Sequence, residues 1–276
     1  MEANDHEPGE LETLLQTARP SPTGPIIALT GAGISAESGI PTFRGREGYW
    51  RVGSRNYHPQ ELATRSAFSA MPEQVWSWYL MRLRTCLAAE PNPAHRALVD
   101  LDRHLGSDFL LITQNVDGLH PRAGSPRERT YEIHGNIAWM RCSADCRGRL
   151  DPVPRELLDA NASELRTALR CAECGAWMRP HVLWFDEVYD EARYRWESSL
   201  SAAARAELLL IVGTTGSTNL PLQVAAIAAE RGAAVVVVNP EPSVFSELAE
   251  RTDRGIFLRG TAGHWVPRVA AALTES

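Results

Sequence analysis

Short, uninterrupted runs of apolar residues recur along the chain, and each run ends in small or polar residues. The runs are Ile26–Leu29, Phe109–Ile112, Leu208–Val212, Val235–Val238 and Ile256–Leu258. Strands of a parallel sheet that is covered by helices are continuously apolar, because both of their faces are buried. The runs therefore predict buried, parallel strands.

Stretches with the length and apolar spacing of helices separate most of these runs. They are Pro72–Glu90, Ala94–His104, Asp190–Arg205 and Pro221–Arg231. The alternation of strands and helices predicts an α/β fold with a doubly wound, parallel, Rossmann-like sheet. Ligands of such sheets bind beyond the carboxyl ends of the strands, so we expect the functional residues there.

Two stretches, residues 44–90 and 138–182, do not fit this alternation. We interpret both as insertions that build a smaller zinc-binding and helical domain beside the main sheet. The Rossmann-like part then comprises residues 24–43, 91–137 and 183–276. Residues 1–23 are acidic and then rich in Pro, Ser and Gly, which indicates an N-terminal tail with at most a short helix over Glu10–Ala18.

Four of the five cysteines form two short pairs. Three residues separate Cys142 from Cys146, and two separate Cys171 from Cys174. Such pairs predict a closed, tetrahedral site for one zinc ion, which stabilises the fold and takes no part in the chemistry. The use of thiols for a metal rather than for disulfides is typical of the cytoplasm. The fifth cysteine, Cys86, is interpreted as a small buried apolar residue.

The composition limits the classes of partner. The 276 residues carry a formal net charge of −6, and 44% of them are hydrophobic. Nucleic-acid-binding proteins usually have a basic face, so the acidic balance argues against a nucleic-acid partner. No apolar run approaches the roughly 20 residues that span a bilayer, and the acidic first residues lack the features of a secretory signal. These observations predict a cytoplasmic protein that does not bind membranes.

A glycine-containing turn follows the first predicted strand, with the sequence Thr30-Gly31-Ala32-Gly33. Glycine lets the backbone approach a pyrophosphate, and the N-terminus of a following helix directs amides at the negative charge. The third glycine of the G-x-G-x-x-G fingerprint is missing. A dinucleotide site and a tight turn without a ligand are therefore equally compatible with these residues alone.

The continuation of this turn, from Gly31 to Gly45, closely resembles the nucleotide-binding signature of the sirtuins, the NAD-dependent protein-lysine deacylases. Further sirtuin-like segments follow in the expected order: residues 113–120 (TQNVDGLH), His134-Gly135, the two cysteine pairs, residues 179–185 (RPHVLWF), residues 213–215 (GTT) and residues 239–241 (NPE). The resemblance spans about residues 24–270, so residues 24–276 are interpreted as one sirtuin-type catalytic domain.

The resemblance implies the chemistry of the site. In the family, the acyl oxygen of an acyl-lysine attacks the ribose carbon of NAD, nicotinamide leaves, and O-acyl-ADP-ribose is formed. His134 matches the histidine that acts as general base towards a ribose hydroxyl, and an ordinary imidazole pKa near ~6.5 suits that role. Asn115 matches a catalytic residue and, with Asp117, orients the nicotinamide ribose and carboxamide. The alternatives are a structural histidine and ordinary turn residues.

The resemblance also implies which residues contact NAD, its co-substrate. They are Gly31, Ala32, Gly33, Ser35, Glu37, Phe43, Arg44, Gln114, Asn115, Asp117, Gly213, Thr214, Thr215, Asn239, Glu241 and Ala262. The last five of these, from Thr214 onwards, match the adenosine side of the NAD site. Ordinary loop chemistry is the alternative for these five.

The substrate side of the site is implied in the same way. Tyr79 and Arg82 are three residues apart on one predicted helix and therefore share a face. This pair resembles the sirtuin subgroup that accepts succinyl and malonyl groups, and Ala63 matches the small residue that widens the acyl pocket there. The alternative is that Tyr79 belongs to the apolar stripe of the helix and that Arg82 is solvated at its edge.

The same resemblance places Leu183, Trp184 and Phe185 beside the substrate peptide. Asp186 then stands where the family usually has glycine, and a carboxylate there is expected to narrow the peptide preference or to favour basic flanking residues. Residues 216–221 (GSTNLP) also depart from the apolar run of the family.

Three functions compete. The leading hypothesis is an NAD-dependent deacylase that acts on acylated lysines of proteins, with succinyl and malonyl favoured and acetyl accepted. An NAD hydrolase or ADP-ribosyltransferase on the same scaffold is the second, and Tyr79 and Arg82 argue against it. A non-catalytic NAD-binding module is the third, and His134 argues against it.

Overall fold

The computed structural model describes residues 24–41, 50–52 and 55–274. Its strands are β1 Ile26–Thr30, β2 Trp50–Val52, β3 Arg55–Tyr57, β4 Phe109–Thr113, β5 Thr130–Glu132, β6 Gly135–Cys142, β7 Asp151–Pro152, β8 Met178–Val182, β9 Leu208–Val212, β10 Ala234–Asn239 and β11 Gly255–Arg259. Its α-helices are α1 Pro59–Leu62, α2 Arg65–Ala70, α3 Pro72–Ala88, α4 Pro93–Leu105, α5 Leu119–Ala123, α6 Ala162–Ala168, α7 Glu191–Tyr194, α8 Trp196–Ala203, α9 Asn219–Glu230, α10 Val244–Glu250 and α11 Ala262–Thr274.

Six strands form the main sheet in the order β11-β10-β9-β1-β4-β5, and all of their pairings are parallel. The central strand β1 pairs with β4 on one side and with β9 on the other, so that Ile26 lies between Phe109 and Leu208. The chain first builds the sheet outwards from β1 to β5 and then returns to build the other side. This reversal confirms the doubly wound Rossmann-like class and places the ends of β1 and β9 at the switch point.

Alternate residues of β1 belong to two different cores. Ile26 and Ala28 are buried with the apolar faces of α4 and α11. Ile27 and Leu29 are buried with α8, α9 and α10 on the other face of the sheet. Because both faces are covered, every residue of β1, β4 and β9 is buried, which explains why the three strands are continuously apolar.

A third core lies beside the sheet. It joins α1, α2, α3 and α6 to the antiparallel sheet β7-β6-β8 and to Trp184. This small module is built mainly from the two stretches that break the strand–helix alternation. The exact domain boundaries stay a prediction, and the predicted tail 1–23 lies outside the described residues.

The helix predictions differ from the structure at two places. Asp190–Arg205 is two helices, α7 and α8, because Arg195 between them has left-handed backbone angles (φ 55°). After the glycine turn, Ala32–Ser38 forms a 3-10 helix that ends at Gly39, where φ is +81°. The α-helix N-terminus expected behind Gly33 is therefore a tighter turn. Within the described residues, no helix combines the length and the apolar character needed to cross a bilayer.

Candidate functional site

The glycine turn after β1 packs directly against the turn after β9. The amide of Gly33 donates to the carbonyl of Gly213 (2.8 Å). A Cβ on Gly33 would lie 2.6 Å from Cα of Gly213, and a Cβ on Gly213 would lie 2.4 Å from the nitrogen of Ile34. Gly213 also has φ +62°, which favours glycine. Neither turn therefore has room for a side chain at Gly33 or Gly213, and the backbone at the switch point stays bare. A bare backbone is the condition for a pyrophosphate to approach these turns closely.

A hydrogen-bonded triad of Ser35, Asn115 and Asp117 lies beside these turns. The Ser35 hydroxyl donates to Oδ2 of Asp117 (2.7 Å), and Nδ2 of Asn115 donates to the Ser35 oxygen (3.1 Å). The other oxygen of Asp117 accepts from the amide of Leu119 (2.9 Å). Burial raises the pKa of Asp117, and the two hydrogen bonds from Ser35 and Leu119 oppose that rise. The structure therefore brings together three predicted NAD contacts from two segments, the 3-10 helix after β1 and the loop after β4.

Gln114 connects this region with the loop after β9. Its Nε2 donates to the Thr214 hydroxyl (2.9 Å), and its Oε1 accepts from the Thr218 hydroxyl (3.1 Å). Its backbone carbonyl is 3.0 Å from Nδ1 of His134. One residue at the end of β4 thus contacts both the predicted base and the predicted adenosine side.

His134 has a hydrogen-bond partner on each ring nitrogen. Nδ1 faces the carbonyl of Gln114, and Nε2 lies 2.8 Å from the hydroxyl of Tyr189. A carbonyl only accepts, so Nδ1 carries the hydrogen and Nε2 carries the lone pair. Burial lowers the pKa of His134 to about 4, although the bond to Gln114 opposes this. The expected ordinary pKa is therefore wrong, and the imidazole is a neutral, desolvated base at pH 7.

The predicted adenosine contacts lie along the ends of β9, β10 and β11. Nδ2 of Asn239 donates to the carbonyl of Glu241 (2.7 Å), which shapes the loop after β10. Oε2 of Glu37 accepts from the amide of Gly263 (2.6 Å), next to Ala262 in the first turn of α11. Thr215 lies 3.2 Å from the Ser217 hydroxyl. Glu37 thus serves the start of a helix, and Phe43 and Arg44 lie outside the described residues.

Two hydrogen bonds tie the predicted acyl pocket to residues 183–187, the peptide segment, whose first three residues are predicted to lie beside the substrate peptide. Nε1 of Trp184 donates to the Tyr79 hydroxyl (3.0 Å), and the amide of Phe185 donates to the carbonyl of Ala63 (3.0 Å). Ala63, Tyr79 and Trp184 are buried in the same core, whereas Phe185 is 57% exposed. Tyr79 therefore belongs to the apolar stripe of α3, as the alternative interpretation holds, and also contacts the peptide segment.

Arg82 lies beside this core on the same helix. Its guanidinium is 4.9 Å from the ring of Trp78. Burial lowers the pKa of Arg82, and the negative charge of Asp117 is among the influences that raise it. A cation of α3 thus lies within electrostatic reach of the nicotinamide side of the predicted site.

Asp186 has a structural role that the sequence does not indicate. Its two carboxylate oxygens accept from the amides of Arg65 (2.7 Å) and Ser66 (3.1 Å), the first two residues of α2. The carboxylate thereby ties the segment 183–187 to the segment that holds Ala63. The expectation that it narrows the peptide preference or favours basic flanking residues stays a prediction.

Further residues of the site carry no local signal in the sequence. Glu187 pairs with Arg179 and accepts from the amide of Trp184 (3.1 Å), which closes the peptide segment. Leu183, which the sequence does predict beside the peptide, donates its amide to the carbonyl of His134 (3.0 Å). Tyr189 and Thr218 reach His134 and Gln114 from 55 and 104 positions away. Their partners are distant in the chain, so no motif or spacing indicates them.

The four paired cysteines converge at the end of β6. Their sulfur atoms all lie within 4.8 Å of one another. The Cys142 sulfur is 3.5 Å from that of Cys146 and 3.5 Å from that of Cys174. Sulfurs bound tetrahedrally at the ~2.3 Å of a zinc–thiolate bond are about 3.8 Å apart, whereas a disulfide needs ~2.05 Å. The donor set fits one zinc ion, and four protein ligands leave it no open position.

Comparison with known proteins agrees with this geometry. The sequence model of the Sir2 family matches residues 31–219. An NAD-dependent protein deacylase of Leptospira interrogans is 42% identical over 251 residues, which cover 91% of this chain and 94% of that protein. One of Thermococcus kodakarensis is 44% identical over 244 residues, 88% of each chain. The crystal structure of a Sir2 homolog–NAD complex superposes with a TM-score of 0.79 at 35% identity, covering 95% of this chain and 93% of that one.

Proposed function

The chain belongs to the Sir2 family and is an NAD-dependent protein deacylase, and we propose that it removes succinyl and malonyl groups from lysine side chains in preference to acetyl groups. The observation that carries the preference is the arrangement around Trp184. Its indole bonds to Tyr79, its neighbour Phe185 bonds to Ala63, and Arg82 follows Tyr79 by one helical turn.

Three residues of the predicted site have tasks in the proposed reaction. Bound NAD supplies the ribose carbon that accepts the acyl group, with nicotinamide as leaving group. Asn115 and Asp117 hold the sugar side, in the positions fixed by Ser35. His134 presents the lone pair of Nε2 to a ribose hydroxyl, and its low pKa keeps that lone pair free of a proton at pH 7.

Arg82 and Tyr79 supply the selectivity. The carboxylate of a succinyl or malonyl group loses hydration when it enters a buried pocket and needs a charged partner there. A guanidinium offers a two-pronged contact, and the Tyr79 hydroxyl lies on the same helix face. A hydrogen bond to a charged group contributes ~1.5–3 kcal/mol, which corresponds to about 10- to 150-fold in discrimination.

The test compares kcat/KM for matched succinyl-lysine and acetyl-lysine peptides in the wild type and in Arg82→Leu. We expect the wild type to favour the succinyl peptide by at least tenfold and the variant to lose that preference while it keeps acetyl turnover. Arg84→Leu is the matched control, since Arg84 lies on the same helix but is exposed and paired with Asp159. It should leave the preference unchanged.

Two results would contradict the proposal. Equal losses on both peptides in Arg82→Leu would mean that Arg82 stabilises the fold of α3 and does not select the acyl group. Nicotinamide release that is indifferent to any acylated peptide would instead support an NAD hydrolase. The second result is measured in the same assay by omitting the peptide.

A further inference from the structure

Tyr189 occupies the one atom of His134 that has to receive a proton. Its hydroxyl lies 2.8 Å from Nε2, and the two rings are tilted with centroids 5.8 Å apart. The phenol is held from behind, because the ring of Trp196 lies 5.4 Å away. Tyr189 is only half-buried, so this contact lies at the boundary between the core and the site.

The direction of this hydrogen bond follows from the two partners of the imidazole. Burial raises the pKa of Tyr189 to about 12, although hydrogen-bond contacts with Thr218 and Leu220 oppose this rise, so the phenol keeps its proton at pH 7. The Gln114 carbonyl takes the hydrogen of Nδ1. Only the neutral tautomer with a hydrogen on Nδ1 satisfies both neighbours, and Tyr189 then donates to the lone pair of Nε2.

We propose that Tyr189 is a positioning residue whose hydroxyl fixes His134 in the Nδ1–H tautomer and aims the Nε2 lone pair at the place where the sugar hydroxyl arrives. The inference rests on the proposed role of His134 as general base. The substrate hydroxyl takes over the position of a donor that is already there, so the imidazole is not reoriented when the substrate binds. The bond also stabilises the uncharged ring, because a donor on Nε2 is lost when that nitrogen is protonated.

Two features make the contact specific rather than a by-product of packing. First, the partners of the two ring nitrogens are connected to each other. Thr218 contacts the Tyr189 hydroxyl and donates to Oε1 of Gln114, and the backbone carbonyl of Gln114 faces Nδ1 of His134. In addition, a phenylalanine at position 189 would keep the packing against Trp196 and remove only the hydroxyl. The role of that single oxygen is therefore open to a clean test.

The experiment is the Tyr189→Phe variant, examined by nitrogen NMR of the histidine rings and by the pH dependence of kcat/KM. We expect the acid limb to move to higher pH, with the dissociation constant of the His134 imidazolium lowered about 2- to 13-fold, the range of one neutral hydrogen bond. The Nε2–H tautomer should become detectable, and the KM for NAD should stay within twofold. Tyr131→Phe, on β5, is the matched control and should change none of these quantities.

An acid limb and ring-nitrogen shifts that coincide with those of the wild type would overturn the proposal. A fall in kcat with an unchanged acid limb and unchanged ring-nitrogen shifts would overturn it as well, since that pattern means a packing defect. The His134→Ala variant separates this inference from the proposed function. If that variant stays active, His134 is not the general base and the proposed mechanism fails. The ring-nitrogen spectra of Tyr189→Phe report on the tautomer regardless of turnover.

Discussion

Asp186 gives the sharpest test of how the peptide segment is coupled to the acyl pocket. Its carboxylate accepts two amides at the start of α2, and the Thr64 hydroxyl accepts a third, from Ala67 (3.0 Å). The amides of the first three residues of this short helix are therefore all satisfied by side chains. Because glycine is the usual residue of the family at this position, Asp186→Gly removes the cap and tests whether this chain needs it.

The magnitude follows from the geometry. An N-terminal cap contributes about 0.5–2 kcal/mol, and a charged acceptor lies at the upper end when it is buried. Asp186 is exposed, so water replaces part of the loss, and we expect about 0.5–1 kcal/mol less stability. For a chain of this size that corresponds to a fall in Tm of roughly 1–4 °C. Asp186→Asn should lose less, because its carbonyl oxygen still accepts one amide.

The assay is thermal unfolding together with the steady-state kinetics of one acylated peptide. Loss of the tie between Asp186 and the Ala63 segment should raise the KM for the peptide more than it lowers kcat, because the pocket is less preorganised. Asp253→Asn removes an exposed charge elsewhere and serves as control. Unchanged Tm and unchanged peptide KM in Asp186→Gly would refute the reasoning, since the two amides would then be equally well served by water.

Two more predictions concern the metal and the pH. Cys171→Ser should abolish stoichiometric zinc in elemental analysis and lower the Tm, because zinc binding is coupled to folding. Cys86→Ala is the control and should retain one zinc per chain. Zinc retained in Cys171→Ser would argue against a four-thiolate site. Burial lowers the pKa values of His95, His134 and His181 to about 4. Between pH 6.5 and 4 the unfolded chain therefore binds more protons than the folded chain, and the free energy of unfolding falls as the pH falls, by an amount on the order of several kcal/mol. Urea unfolding at pH 7 and at pH 5 measures this, and equal midpoints would show that these rings are already protonated or accessible in the folded state.

The sequence predicts the parts of this molecule whose physical cause is local. The five apolar runs are strands within one residue at each end. Four of them are buried on both faces, which makes the apolar run itself a sufficient signal, whereas the residues of the edge strand β11 alternate between buried and half-buried. The cysteine spacing likewise predicts a cluster that the structure brings together. The break at Arg195 was not predicted, because left-handed backbone angles in a non-glycine residue are imposed by surrounding contacts.

Contacts between distant segments limit how much of the site can be predicted from the sequence. The sequence-based resemblance names His134, yet the partner on its Nε2 comes from a residue 55 positions away. Asp186 is visible as a departure from the family, but its bonds to α2 depend on how the small module folds back. Burial shifts the pKa of His134 far from the ordinary value, and burial is a property of the fold.

The central place of β1 has a consequence for biosynthesis. A ribosome releases β1, β4 and β5 well before β9, so one edge of a fully apolar strand lacks its partner until residue 212 has left the exit tunnel. Unpaired apolar edges recruit other chains. The turn at Gly33 likewise meets its partner turn only after Gly213 has been synthesised. The switch point of the sheet is therefore completed late in translation, when β9 is inserted beside β1.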